Sequence, residues 1–226
     1  GKVMYDPEQV AEIKIIAQSK IDYFDHPYST RYFFTPTAIP MQKGKGYYSN
    51  QYILLNSYHY GLSDNVSIGG GFEFITTLFL LTPTPFAHVK VSFSASDHFH
   101  YGGGLLAGGV LGQVFDEYNY YALPYGMITV GNENKNLTFG GGAGSVAGET
   151  ISYLSLSGSI RVNRRLGFVS SNYLAFDNFE GDSGFVGVQG IRIMGKSISV
   201  DLALAFSPGS LDAGVIIPFV GFGIKI

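Results

Sequence analysis

The sequence predicts an all-β protein, a closed antiparallel transmembrane β-barrel of about twelve strands, and three observations support this. Apolar residues alternate with small or polar ones over many short segments. Turn signals divide these segments at near-regular intervals. Charged residues make up only 14% of the 226 residues, whereas a soluble domain carries about 25%.

Composition excludes several other classes of protein. The mean hydropathy of +0.17 suits a membrane protein, but a spanning helix needs roughly 20 consecutive apolar residues and the chain has no such run. With 14 Lys and Arg, 17 Asp and Glu and a net charge of -3, the chain lacks the basic stripe of a nucleic-acid binder. The absence of Cys excludes disulfide scaffolds, thiolate metal sites and Cys nucleophiles.

The alternation gives each predicted strand one apolar face and one face of small or polar residues. From residue 66, for example, Val66, Ile68 and Phe72 fall on one face, and Ser67 and Gly69 on the other. The second face of a soluble β-sandwich would be rich in charged residues, but in this sequence it is mainly Gly, Ser, Ala and Thr. Small residues suit the interior of a narrow closed barrel whose apolar face meets lipid.

Turn signals recur with a period of about 33 residues, which corresponds to one hairpin per repeat. The breaks predict ten to fourteen strands, and the best count is twelve, at roughly 31–36, 46–60, 66–80, 85–95, 98–112, 118–131, 136–147, 150–162, 166–176, 184–193, 197–206 and 213–226. If both termini lie in the periplasm, the turns after even strands face the periplasm. The loops after odd strands then face outward, and the longest of them is 37–45.

The N-terminal part differs from the rest of the chain. Asp6 before Pro7 is a helix start, and Val10, Ile13 and Ile16 share one face of the segment that follows. We therefore expect a short amphipathic helix and linker over 1–29 and a barrel over 30–226. The helix is expected to pack under or inside the barrel mouth, or to dock on a partner or on the inner face of the membrane.

Seven charged or titratable residues fall on the face predicted to line the lumen: Glu73, His88, Lys90, Arg161, Arg192, Asp201 and Lys225. Charge is tolerated there, whereas on the lipid face it would cost up to ~2–4 kcal/mol. Glu73 with Lys90, and Asp201 with Lys225, are expected to form ion pairs on neighbouring strands. The functional alternative is a constriction that selects small solutes.

No catalytic, cofactor or metal site is predicted. His98 and His100 follow Asp97 and could suggest acid–base or metal chemistry, but a turn and a lumen-facing strand start explain them better. The glycine runs lack the Lys-Ser/Thr of a phosphate loop and more simply allow a barrel to bend.

Two stretches resemble known outer-membrane proteins. Phe222, Ile224 and Ile226 alternate with Gly221, Gly223 and Lys225, and this end resembles the C-terminal strand recognised by the barrel-assembly machinery, although the last residue is Ile rather than aromatic. The stretch Lys43-Gly44-Lys45-Gly46-Tyr47-Tyr48, with Tyr60-Gly61-Leu62-Ser63-Asp64-Asn65, is similar to an uncharacterised group of Bacteroidota barrels. The resemblance implies an integral barrel in the outer membrane of a Gram-negative bacterium and brings no agreed activity.

These features favour a non-enzymatic barrel that serves as a structural or accessory subunit of a larger outer-membrane complex for assembly, export or surface display. Its expected partners are the lipid bilayer and other proteins of that complex, with no nucleic acid and no cofactor. The alternative is a narrow channel for small or apolar solutes. An enzyme comes third and would need Ser, His and an acid to converge near the membrane surface, and a soluble β-barrel also stays open.

Overall fold

The computed structural model describes residues 28–52, 55–74, 84–109, 120–146, 149–177, 183–212 and 216–226. These residues form twelve strands and one short helix. The elements are β1 (Gly46–Gln51), β2 (Leu55–Gly61), β3 (Val66–Glu73), β4 (Thr84–Ser96), β5 (Phe99–Gly109), β6 (Tyr120–Asn132), β7 (Lys135–Val146), β8 (Glu149–Arg161), β9 (Leu166–Asp177), β10 (Ser183–Met194), β11 (Ile198–Phe206), α1 (Pro208–Asp212) and β12 (Ile217–Lys225).

The strands close into one antiparallel barrel in which each strand pairs with its neighbours in sequence. Closure comes from β1 and β12, with Tyr47 opposite Lys225 and Gln51 opposite Gly221. The predicted fold class is thus confirmed. The predicted N-terminal helix lies outside the described residues, and among the described residues no helix is long and apolar enough to cross a membrane.

The alternation of residue types produces the two faces of the barrel wall. Large apolar side chains such as Phe72, Leu105 and Phe139 are exposed on the outside, while neighbours such as Ser92 and Thr138 are buried inside. At one end of the barrel the connections are tight turns with local side-chain caps. The Asn163 side-chain oxygen, for example, accepts the backbone N–H groups of Arg165 and Leu166 at 2.8 and 2.9 Å, which is the Asx-turn chemistry that favours Asn at such positions.

The first two predicted strands are wrong, although the total count is right. Residues 31–36 are not part of the barrel wall, because they form a tight turn closed by an isolated bridge between Arg31 and Pro36. The predicted strand 46–60 is instead two strands, β1 and β2. The break follows Tyr52, whose φ of 54° lies in the left-handed region and ends the extended run.

The predicted outward loop 37–45 is also misplaced. Thr37, Ala38 and Ile39 are almost completely buried, and the segment then leads into β1 at the end of the barrel that carries the tight turns. Gly44 donates its backbone N–H to the carbonyl of Gly61 there, at 2.9 Å. Residues 28–41, which we call the luminal plug, therefore lie inside the barrel.

Candidate functional site

The luminal plug contacts side chains from most of the barrel wall. Ten of its residues are buried: Tyr28, Thr30, Arg31, Tyr32, Phe33, Thr35, Thr37, Ala38, Ile39 and Met41. Phe33 packs against Phe219 with ring centroids 5.0 Å apart, and Val169, Val188 and Ala203 complete this cluster. The principal hydrophobic cluster of the described residues is thus formed between the plug and the inner wall.

A buried ion pair between β10 and β11 holds one side of the plug through hydrogen bonds. Arg192 binds both carboxylate oxygens of Asp201, at 2.7 and 3.0 Å, and donates to the carbonyls of Arg31 and Tyr32 at 3.3 and 2.9 Å. The hydroxyl of Tyr28 donates to Asp201 at 2.9 Å, and the Arg192 guanidinium lies 4.2 Å from the Tyr28 ring centroid. Burial raises the pKa of Tyr28, so this phenol stays a donor.

Uncharged hydrogen bonds hold the other side of the plug. The hydroxyl of Tyr32 lies 2.6 Å from Asn136 and 2.7 Å from Thr138, and Thr35 contacts Ser157 and Tyr173 at 3.0 and 2.6 Å. These partners come from β7, β8 and β9.

On β4, Lys90 holds the same segment by its backbone. It donates to the carbonyls of Thr37 and Ile39, both at 3.0 Å. Several small polar residues of the inner face also act as hydrogen-bond partners of the plug, among them Ser49, Thr138 and Ser157.

A cavity of about 470 Å³ lies in the lumen beside the plug, within the range of small-molecule sites, about 300–1,000 Å³. Arg31, Phe34 and Pro36 of the plug form one side. The wall contributes mainly apolar and aromatic side chains: Leu55, Phe86, Leu106, Tyr121, Leu123, Tyr125, Tyr153 and Tyr173. The polar part of its lining includes His59, His88 and Lys90.

Two histidines, His59 and His88, form a hydrogen-bonded pair at the polar part of the cavity. The His59 Nδ1 and His88 Nε2 atoms are 2.7 Å apart, and Arg31 Nη1 lies 3.3 Å from His59 Nε2. Because a guanidinium can only donate, His59 Nε2 must accept, so a neutral His59 carries its proton on Nδ1 and donates it to His88. The contacts thus fix a neutral tautomer for His59.

Glycines on the inner face make room for these side chains. A Cβ on Gly69 would collide with His88 Nε2 and would lie 2.9 Å from His59 Nδ1. A Cβ on Gly104 would lie 2.6 Å from the Tyr125 hydroxyl, and one on Gly223 would overlap the Tyr28 ring. The glycine-rich inner face therefore accommodates the plug and the large cavity residues.

The seven residues predicted to line the lumen lie in different surroundings. Lys90, Arg161, Arg192 and Asp201 are buried, and His88, Glu73 and Lys225 are half-buried. Arg161 donates to the side chain of Asn134 and to the carbonyl of Arg164, and so braces two turns. Three of the seven, Lys90, Arg192 and Asp201, contact the plug.

The strand register separates the members of both expected ion pairs. Glu73 is opposite Thr84, whereas Lys90 is opposite Ser67, so six residues, or about 20 Å of strand, separate their levels. Asp201 is opposite Arg192 and Gly221, four residues along β12 from Lys225, and its carboxylate binds Arg192. Strand adjacency alone could not reveal this register.

The cavity also places a hydroxyl beside an imidazole. Ser57 Oγ lies 2.9 Å from His59 Nε2, a distance at which a base could activate a nucleophile. The same nitrogen accepts from Arg31, and a neighbouring cation opposes the protonation that a general base must undergo. Among the described residues, no group of three or more His, Asp or Glu could hold a metal ion.

The sequence alone does not single out His59 and does not pair it with His88. The signal for this pair is Gly69 on β3, a small residue that is opposite both His59 on β2 and His88 on β4. Arg31 was assigned to a strand, so its place in the cavity was missed.

Comparison with known proteins gives a likeness of fold. No protein-family model matches the chain, and no curated protein matches it. Four solved chains match, among them the NanC porin, with a TM-score of 0.55 and 7% identity over 80% of this chain and 98% of that one. The resemblance to a Bacteroidota group is not tested by these comparisons and stays a prediction. The chain is therefore a closed twelve-stranded β-barrel with the fold of a porin.

Proposed function

We propose that this protein is an integral outer-membrane barrel that forms a narrow channel for small, largely apolar solutes, with the luminal plug as its gate. The observation that carries the proposal is the apolar-lined cavity of about 470 Å³ beside the plug. A passage for ions or sugars would be lined by polar side chains, whereas leucines and aromatic rings dominate this one.

The outer surface supports the membrane location. Strands β4 to β12 have 9 to 13 residues, close to the roughly 9–11 that cross a bilayer at a tilt. Most of their outward side chains are apolar, for example Val89, Ile128 and Leu204, which are exposed. By the usual arrangement of such barrels, the end with tight turns faces the periplasm.

The plug closes the lumen through contacts that can be broken and remade. Hydrogen bonds of Arg192, Ser157 and Lys90, among others, hold it to the wall. No disulfide fixes it there, since the chain has no Cys. Solute that enters the cavity can leave toward the tight-turn end only when this segment shifts. Such a shift would be a local opening that leaves the barrel wall intact.

We rank this channel above the accessory subunit that the sequence favours, because the cavity provides a use for the lumen. The subunit hypothesis stays a prediction, and stoichiometric co-purification from native membranes tests it. We propose no enzymatic activity, because Arg31 shares the nitrogen with which His59 would act as a base.

A disulfide lock tests the gate. Thr35 Oγ1 on the plug and Ser157 Oγ on the wall are 3.0 Å apart, so the double variant Thr35→Cys/Ser157→Cys can form a disulfide with small adjustments. The readout is uptake of the apolar fluorophore N-phenyl-1-naphthylamine by Gram-negative cells that produce the barrel. Thr35→Cys alone is the control, since it cannot form the lock.

We expect uptake by the double variant to rise on reduction, while uptake by the single variant does not change. Equal uptake by oxidised and reduced double variants, or no uptake above that of cells without the barrel, would refute the channel.

A further inference from the structure

We propose that the solute bound in this cavity is an amphipathic anion, with a carboxylate between Arg31 and Lys90 and an apolar body along the leucines and aromatic rings. This inference rests on the proposed function and specifies the class of solute. The lining combines buried cations with leucines and aromatic rings, and each of these two groups recognises one part of such a molecule.

Two cations that line the cavity beside the plug, Arg31 and Lys90, donate to uncharged acceptors among the described residues. Arg31 donates to Ser49 at 2.9 Å, to His59 at 3.3 Å and to the carbonyl of Phe33. Lys90 donates to two backbone carbonyls. Within the described residues neither cation pairs with a carboxylate, although Arg31 is only 9% exposed and Lys90 only 4%.

Both cations retain donors for a ligand. An ammonium group has three N–H donors, and two of those on Lys90 go to carbonyl oxygens. The neutral tautomer of His59 adds no negative charge to the cluster. Because buried charge without a counter-ion is unfavourable, an anion that binds beside these cations offsets an existing cost.

Strand register places Leu106, Leu123 and Phe86 of the lining farther from the tight turns than Lys90. His88 is opposite Leu106, and Phe86 is opposite Gly108. Along β4, Phe86 lies two residues farther from the tight turns than His88 and four residues farther than Lys90. On the next strand, β6, Leu123 is opposite Leu106 and Tyr121 is opposite Gly108. An apolar body can thus extend from the cations past Leu106 and Leu123 toward Phe86.

The acidic residue Glu73 lies far from Lys90 along the barrel wall. It lies opposite Leu55 at the far end of β3, about 20 Å along the strand from the level of Lys90. Lys90 and this acid thus lie toward opposite ends of the wall, and a carboxylate is favoured beside Arg31 and Lys90.

The test compares three probes that share one body and differ in head group: 4-phenylbutyrate, 4-phenylbutanol and 4-phenylbutylamine. Binding to the full chain in lipid nanodiscs is measured by titration calorimetry, with empty nanodiscs as the blank. We expect the carboxylate to bind about tenfold or more tightly than the alcohol, as charge-assisted hydrogen bonds would provide, and the amine to bind least.

Arg31→Gln is expected to lower the preference for carboxylate over alcohol to about threefold or less. Arg165→Gln, at an exposed turn, is the matched control and should keep the full preference. The comparison of the three probes on the unaltered chain decides the question even if Arg31→Gln fails to fold.

Equal binding of the acid and the alcohol, or a preference for the amine, would overturn the anion while leaving an apolar-solute channel intact. Failure of all three probes to bind would overturn both the anion and the apolar solute site.

Discussion

Removal of the Asp201 carboxylate is expected to destabilise the barrel and loosen its plug. In Asp201→Ala, Arg192, which is 1% exposed, loses the partner of two short hydrogen bonds, and Tyr28 loses its acceptor. Removing one member of a buried ion pair costs about 3–5 kcal/mol, because the remaining charge stays buried without a counter-charge. We expect a loss of that size in the free energy of unfolding.

The assay is reversible urea unfolding in phospholipid vesicles, followed by circular dichroism and by the mobility of unheated samples on gels. Arg192→Met should cost a similar amount because it leaves Asp201 buried and charged. The double variant Arg192→Met/Asp201→Ala retains neither charge, so its cost should fall short of the sum of the single variants by about 2–3 kcal/mol. Arg165→Met, at an exposed turn, should change stability by less than about 0.5 kcal/mol.

Two results would refute this reasoning. A cost below about 1 kcal/mol for Asp201→Ala would mean that Arg192 is hydrated or finds another partner. Strict additivity in the double variant would mean that the two charges do not stabilise one another.

Three further predictions use the same unfolding assay or the same gels. Gly223→Ala places a methyl group in the Tyr28 ring and should lower the free energy of unfolding by about 1–3 kcal/mol. Gly126→Ala, with nothing within 4 Å of the new Cβ, is the control and should have little effect. Equal effects of the two changes would count against the close fit of the plug. Gly131→Ala should cost about 1–3 kcal/mol, because the φ of 116° is strained for any other residue, and an unchanged urea midpoint would contradict this. Leu105→Arg puts a charge on the outward face. If that face meets lipid, the change should lower the free energy of unfolding by about 2–4 kcal/mol and reduce the folded fraction on gels. An unchanged folded fraction would argue against the membrane location.

The fold could be predicted from the sequence because two local signals determine it. Alternation sets the faces of each strand, and residues such as Asn132 and Asn163 place the tight turns by capping backbone N–H groups locally. Both signals act over a few residues, so they can be recognised without knowing what lies across the barrel.

The plug and the site could not be predicted, because long-range contacts determine them. Residues 31–36 have the aromatic and β-branched composition of a strand, and what places them in the lumen is contacts such as that of Tyr32 with Asn136, 104 residues away. The His59–His88 pair likewise depends on the register of three strands around Gly69. Sequence spacing alone does not fix that register, because β3 and β4 are joined by residues 74–83 rather than by a tight turn.

The position of the plug in the chain has a consequence for the order of folding. It precedes the twelve described strands, yet its partners lie on strands as late as β12, where Phe219 packs against Phe33, and Tyr28 and Asp201 are 173 residues apart. Contacts of such separation form late, because a long stretch of chain must be ordered first. The segment translated before all the strands therefore reaches its final position only when β1 meets β12, and its seating marks the completion of barrel closure.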